Sequence, residues 1–420
     1  MTARRCAGMA GFRVLLLLLC AGAAFSYYPF VHYTTGTAPF QAAPERFDLK
    51  ALPGGTLYYF VSGKGPEKLA AGDSFTSVLS QIRQAAKVWN DVETSALRFE
   101  FGGLSAPGAV QTTPGVDVLF GEVELPPGLI ALGGPTSRST LISDESGAFV
   151  PITRSILVLG KDLSQRPSHS SAFFLTVVHE LGHALGLQHT LTSGAMSTEV
   201  TRSTTRSRPL SADDIAGISL LYPGATQARR AGSISGRVSL NGVGVHLASV
   251  VALEPAGAAV SALTDPEGRF HITGLAPGQY YVYAHALPPG GQPEMGPADI
   301  VLPVFPDGSQ VPAGPVFETM FYPGASGIQQ AGVLTVSAGR DTPDCNFEVR
   351  AREPLKLYGV TTYSFPGPVA VKPAFLNVNG TRKFLVAYGR GLITGGAPSP
   401  GLNVSVVGGS ANVFQDTVAA

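Results

Sequence analysis

Three histidines and a glutamate are the residues whose types and spacing suit chemistry best. They lie in His179-Glu180-Leu181-Gly182-His183-Ala184-Leu185-Gly186-Leu187-Gln188-His189. His179 and His183 are four apart, so on a helix their imidazoles leave one face about a turn apart and can reach a single ion. Glu180 sits beside them, towards the open side. A helix continued past Leu185 would carry His189 off that face, whereas Gly186 tolerates the left-handed backbone that turns the chain back and delivers a third imidazole. Three neutral nitrogens leave one tetrahedral position for water, the arrangement of a catalytic zinc site rather than a closed structural one. One Zn2+ ion held there would acidify that water and polarise a scissile carbonyl, with the Glu180 carboxylate taking the proton and passing it to the leaving amine. The site has no thiolate, and imidazole donors in this arrangement suit zinc best, with cobalt or manganese as substitutes.

The elements that must position these residues are legible in outline. Several serines at 168–171 offer N-caps for a helix from about 172 to 185, stopped by Gly186. Upstream, Val78, Ile82, Ala85 and Trp89 recur at spacings of four, three and four, which predicts an amphipathic helix over 76–91. Strands are expected at 57–61, 97–101, 116–120, 129–132 and 156–159. Downstream, Ser211 caps a third helix running to about Tyr222, with Asp213 and Asp214 in its first turn, where the helix dipole favours acids. Pro223-Gly224 ends it and marks a boundary. Residues 27–46 carry no clear period. Three other histidines, His246, His271 and His285, lack ligand spacing and read as sheet or loop residues.

The histidine stretch resembles the metzincins, whose extended motif H-E-x-x-H-x-x-G-x-x-H is matched by His179, Glu180, His183, Gly186 and His189. Among them it is most similar to the matrixins, the matrix-metalloproteinase relatives. Thr190 follows the third histidine, Ala195-Met196 stands at the distance of the family's Met-turn, and Leu210-Ser211-Ala212-Asp213-Asp214 through Leu221-Tyr222 is similar to its last helix. The resemblance implies an α+β metzincin catalytic domain, a twisted mixed sheet plus three helices, over residues 45–224. It also implies zinc-dependent hydrolysis of peptide bonds, with Met196 as the floor beneath the metal. Leu129, Ile130, Ala131 and Leu132 would be the edge strand that binds a protein or peptide substrate by strand addition. The sequence departs from the family in places. The upstream histidines of a second, structural zinc are reduced to His32 and His169, no cysteine lies between Cys20 and the motif to confer latency, and Ser197-Thr198-Glu199-Val200 replaces the Pro-x-Tyr wall of the specificity pocket. Ca2+, common in the family, finds no placed site.

The rest of the chain bounds this reading. Of 420 residues, 44% are apolar and 14% charged, and 51 Gly with 33 Pro favour turn-rich β architecture over helical bundles. Lys plus Arg and Asp plus Glu are both 29, without a basic patch, so no nucleic-acid partner is expected. Arg4, Arg5 and Arg13, then an apolar run over 14–25 and small residues, have the layout of a secretory signal peptide over 1–26. The run is well short of the roughly 20 residues of a membrane span. Secretion is the expectation, with Cys345 alone left in the mature chain as a buried, unreactive thiol. From 232 the texture becomes short alternating runs with turn pairs such as Asn241-Gly242, and strands are expected at 233–240, 250–254, 269–273 and 280–284. Ser235-Gly236-Arg237-Val238, Thr264-Asp265-Pro266-Glu267-Gly268-Arg269-Phe270 and Leu275-Ala276-Pro277-Gly278-Gln279-Tyr280 resemble carboxypeptidase regulatory-like, transthyretin-like modules. That resemblance implies an all-β sandwich over 232–352, serving as spacer or as a dock for surface or substrate, with a β-rich tail at 354–420. The rival reading is a surface adhesion or docking protein with a degenerate metalloprotease domain; intact Glu180 argues against it.

Overall fold

The computed structural model describes residues 27–106, 113–126, 129–137, 140–197, 202–287, 300–352 and, as backbone strands only, parts of 356–398. The signal-peptide expectation for 1–26, Thr198 to Val200 and Gly128 fall outside these residues.

The first part of the chain builds one mixed sheet with three helices. Its strands are β1 (Val31–Tyr33), β2 (Ala42–Arg46), β3 (Leu57–Ser62), β4 (Phe99–Ser105), β5 (Val116–Phe120), β6 (Ala131–Ser137), β7 (Ile142–Asp144) and β8 (Gly147–Leu159). They run in the order β1-β2-β8-β5-β3-β4, with β6 and β7 also on β8. The pairings of β3 with β4 and β5, and of β5 and β2 with β8, are parallel; β6 runs antiparallel to β8. Parallel pairing requires cover on the sheet faces. Helix α1 (Phe75–Asn90) supplies it with Val78, Ile82, Ala85, Ala86 and Trp89, all buried, and starts at a capping box made by Ser74 and Ser77. Helix α2 (Ser171–Ala184) packs on α1 and is apolar nearly all round, as a helix inside a core must be. Helix α3 (Ala212–Leu221) starts at a second capping box, between Ser211 and Asp214.

One segment without a period proves ordered, and one expected strand is corrected. Residues 27–46 are structured: β1 and β2 pair with each other and β2 joins β8, while Tyr27 is buried against Gly217 of α3. Such short strands gain their order from distant partners, which leaves no period to read. The strand expected at 129–132 begins only at Ala131 and continues to Ser137; the Leu129 amide turns back onto the Pro126 carbonyl, and Leu129 is half exposed. The Ile130 carbonyl still accepts from the Gly160 amide, so Ile130 borders the ladder without entering it.

Beyond a one-turn helix at Gln227–Arg230 the described chain is mostly β. One sheet is built on β9 (Gly232–Leu240), with β10 (Val243–Gly244) across the Asn241-Gly242 turn, where both residues have positive φ. β13 (Arg269–Leu275) joins that sheet on β9, and the other sheet contains β11 (Ser249–Leu253), β12 (Ala259–Leu263) and β14 (Gly278–His285), which pair together. Ile234, Val238, Val250, Ala252, Phe270, Ile272, Val282 and Ala284 come from both sheets and share one core. Cys345 lies in that core, and burial pushes its thiol up to about 12. No helix among the described residues is long and apolar enough to cross a membrane.

Candidate metal centre

The site rests on the C-terminal turns of α2. Ser170 caps the helix by accepting from the Phe173 amide, and the Trp89 indole N–H donates to the Val178 carbonyl at 2.9 Å, locking α1 to α2 one residue before His179. The His179 and His183 rings leave the same face, and their Nε2 atoms are 3.2 Å apart. Each Nδ1 faces a main-chain carbonyl: His179 that of Ala195 at 2.7 Å, His183 that of Leu187 at 2.8 Å. A carbonyl only accepts, so both Nδ1 atoms carry the proton and both Nε2 atoms present lone pairs. Burial, with the neighbouring imidazoles, depresses His179 far below its ordinary range and brings His183 to about 3, so both are neutral, the form a metal requires.

The helix ends as Gly186 takes a φ of 103°, a region where a side chain is strained. A Cβ at Gly186 would also lie 2.6 Å from the Glu45 carbonyl oxygen of β2. The reversed chain bonds the Leu187 amide to the Gly182 carbonyl and brings His189 back, its ring centroid 4.7 Å from that of His183 and 5.3 Å from that of His179. Nitrogens of all three rings lie within 4.8 Å of one another, the one such group of potential ligands among the described residues.

These residues fit a divalent cation. Two acceptor lone pairs facing each other at 3.2 Å repel unless a positive charge lies between them. Imidazole nitrogens around zinc at roughly 2.0–2.1 Å in a tetrahedron sit a little over 3 Å apart.

Met196 is fully buried under the helix. A Cβ on Gly182, between the two helical histidines, would meet its Sδ at 2.2 Å, so the glycine is what lets the methionine approach. Asp214 holds that turn, accepting from the Ala195 amide at 2.7 Å and the Met196 amide at 3.1 Å while closing its own capping box. The Ala195 carbonyl it fixes is the one that orients His179. Asp213 is buried too, accepting from Thr190, Thr192 and Ser261; burial lifts it to about 6 against those hydrogen bonds.

Glu180 is 9% exposed. Burial raises its carboxyl to about 7, opposed by a hydrogen bond from the Gly133 amide of β6. Gly133 lies so close that a Cβ would meet the Glu180 carbonyl oxygen at 2.2 Å. Leu132, next to it, is 37% exposed on the sheet edge, and β6 is bonded only to β8 among the described strands. Away from the centre, His32 pairs with Glu45 and His169 lies 3.7 Å from Asp73. His246 and His285 bond to main-chain carbonyls and His271 lies near Asp341. The place of Asp214 in the first turn of α3 is legible in the sequence, whereas Gly133 escapes sequence reasoning because it acts through main-chain contacts that no spacing encodes.

Residues 132–223 match the family model Peptidase_M10, matrixin. The matched segment contains the three histidines, Glu180, Met196 and α3, and with the converging imidazoles it supports a matrixin-like metallopeptidase at the level of the family. No curated protein matches the sequence. Among solved structures, the chain is similar to the Bacillus anthracis TIE protein at 15% identity and a TM-score of 0.18, over 38% of this chain and 27% of that one. It is also similar to a DUF3823 family protein from Parabacteroides merdae at 10% identity and a TM-score of 0.17, over 38% of this chain and 81% of that one. The chain thus spans about a quarter of the length of the TIE protein structure.

Proposed function

We propose that the chain is an exported zinc-dependent endopeptidase. The observation that carries this reading is the His179–His183 pair, with both Nδ1 atoms tied to carbonyls and both Nε2 atoms turned to one point beside His189 and a buried carboxylate. His179, His183 and His189 hold the ion, and bound zinc supplies Lewis acidity that polarises a peptide carbonyl and acidifies water. Glu180 is the proton carrier: the Gly133 amide bonds its carboxylate, and burial raises it to about 7, where it can both take up and give back a proton near neutral pH. The free edge of β6 at Ala131 and Leu132, with Ile130 at its entrance, aligns an extended peptide by strand addition across the face that carries Glu180. Met196 supports the two helical histidines from below.

In this reading residues 1–26 are the export signal, 45–224 the catalytic domain with 27–44 as its first layer, 232–352 a carboxypeptidase regulatory-like β-sandwich, and 354–420 a further β-rich piece. The test uses the full chain. Metal analysis gives one zinc per chain, a peptide library is cleaved, chelator stops cleavage, and Glu180→Gln retains zinc while losing cleavage by several orders of magnitude. Zinc bound without any cleavage by the wild type overturns the enzyme reading in favour of a docking role.

A further inference from the structure

We infer that the β region beyond residue 232 is a working part of the metal centre: it positions His189 by gripping the residues on either side of it. The inference rests on the assignment of His189 as a ligand.

Gln188 is 2% exposed and has every polar group engaged. Its Oε1 accepts from the Val301 amide at 2.7 Å, and its Nε2 donates to the Val301 and Pro29 carbonyls at 3.1 Å each. Its amide donates to the Tyr28 carbonyl, and its carbonyl accepts from the Tyr27 hydroxyl at 2.5 Å. The side-chain amide therefore completes a two-sided ladder with one residue of the β region, Val301. On the other side of His189, the Thr190 hydroxyl donates to Asp213 Oδ2, while Asp213 Oδ1 accepts from the amide of Ser261 in β12 at 2.8 Å. The segment 187–190 follows the end of α2, where the Leu187 amide still reaches the Gly182 carbonyl and the Thr190 amide the Met196 carbonyl; the two contacts to the β region add side-chain anchors on either side of His189. Leu191 packs beside Leu247, Leu263 and Ile300, shielding the network from water. Shielded, fully paired networks are stiff, and polar partners behind a metal ligand fix its ring before the ion arrives.

A plain packing interface would serve with apolar contact alone. Here two polar clamps converge on the neighbours of one ligand, and both anchor residues, Val301 and Ser261, lie more than 70 positions away in sequence. The helical ligands need no such help, since His179 and His183 are ordered by α2 and by the Ala195 and Leu187 carbonyls.

The experiment measures Zn2+ affinity of the full chain by competition with a chromophoric chelator, and the visible spectrum of the Co2+-loaded protein. It compares wild type, Gln188→Leu, Thr190→Val and, as control within the β region, Ser239→Ala, whose hydroxyl bonds Glu348 far from the site. Gln188→Leu and Thr190→Val are expected to weaken zinc by roughly 10- to 100-fold and to shift the cobalt spectrum, while Ser239→Ala matches wild type. Zinc affinity within threefold of wild type and an unchanged cobalt spectrum in both clamp variants would overturn the inference. If Gln188→Leu does not fold, Thr190→Val, nearly equal in volume, decides alone. Failure of the wild type to bind zinc strikes the metal assignment itself, a distinct result.

Discussion

Gly133→Ala separates the edge strand from the helix that carries Glu180. The added Cβ would lie 2.2 Å from the Glu180 carbonyl oxygen and 2.9 Å from its carbon, both main-chain atoms that cannot rotate away. Opening that contact from 2.2 Å to 3.0 Å, the shortest distance real side chains tolerate, moves strand and helix apart by 0.8 Å. Helix α2 is tied to Trp89, and its histidines to the Ala195 and Leu187 carbonyls, whereas β6 is bonded to β8 alone among the described strands. The strand therefore yields, taking with it the amide that orients the Glu180 carboxylate and the edge proposed to align the peptide. Overpacking of this size costs about 1–3 kcal/mol of stability. A displacement near 1 Å costs about 100-fold in catalysis. A fluorogenic peptide assay should show kcat/KM down by that factor, while chelator competition gives zinc affinity within about threefold of wild type, because no ligand has moved. Gly134→Ala is the control: a Cβ there meets nothing within 4 Å, so its Tm stays at the wild-type value. Wild-type kcat/KM in Gly133→Ala, at unchanged Tm, refutes the claim that this contact sets the site.

Gly186→Ala forces a side chain into a φ of 103° and against the Glu45 carbonyl; a stability loss of roughly 1–3 kcal/mol and a zinc affinity at least about tenfold weaker are expected, read by thermal melting and chelator competition. Removing zinc from the wild type should lower its Tm, since a ligand at 100 times its Kd contributes about 2.7 kcal/mol to the folded state; identical melts with and without chelator refute a bound ion. Asp144 gives a pH signature. Although partial burial works against it, hydrogen bonds from Ser146 and Arg46 hold its carboxyl down at about 2. A depressed folded-state value means stability that is present above the ordinary aspartate range and lost as pH falls towards 2. Asp144→Asn should therefore melt lower than wild type at pH 6, with the gap closing between about pH 4 and pH 2; a gap independent of pH sinks the assignment. Trp89→Phe removes the indole bond to the Val178 carbonyl in a fully buried position and should cost about 1–3 kcal/mol in chemical denaturation.

The amino-acid sequence by itself determined whatever depends on neighbours in the chain. His179 and His183 on one helical face, Gly186 at the break, the buried stripe of α1, the Ser211 cap and the Asn241-Gly242 turn all follow from local periodicity or from a residue's own backbone preference, and each recurs in the fold. Tertiary structure alone decided what depends on distant groups. Short β1 and β2 order a segment that has no period, the 129–132 strand shifts because Pro126 turns Leu129 aside, and Gly133 meets Glu180 across the sheet edge. Gln188, an unspecified position between His183 and His189, is held by Val301, more than a hundred residues on. Backbone amides and carbonyls carry these contacts, and since every residue has them, no residue type or spacing can announce which will meet.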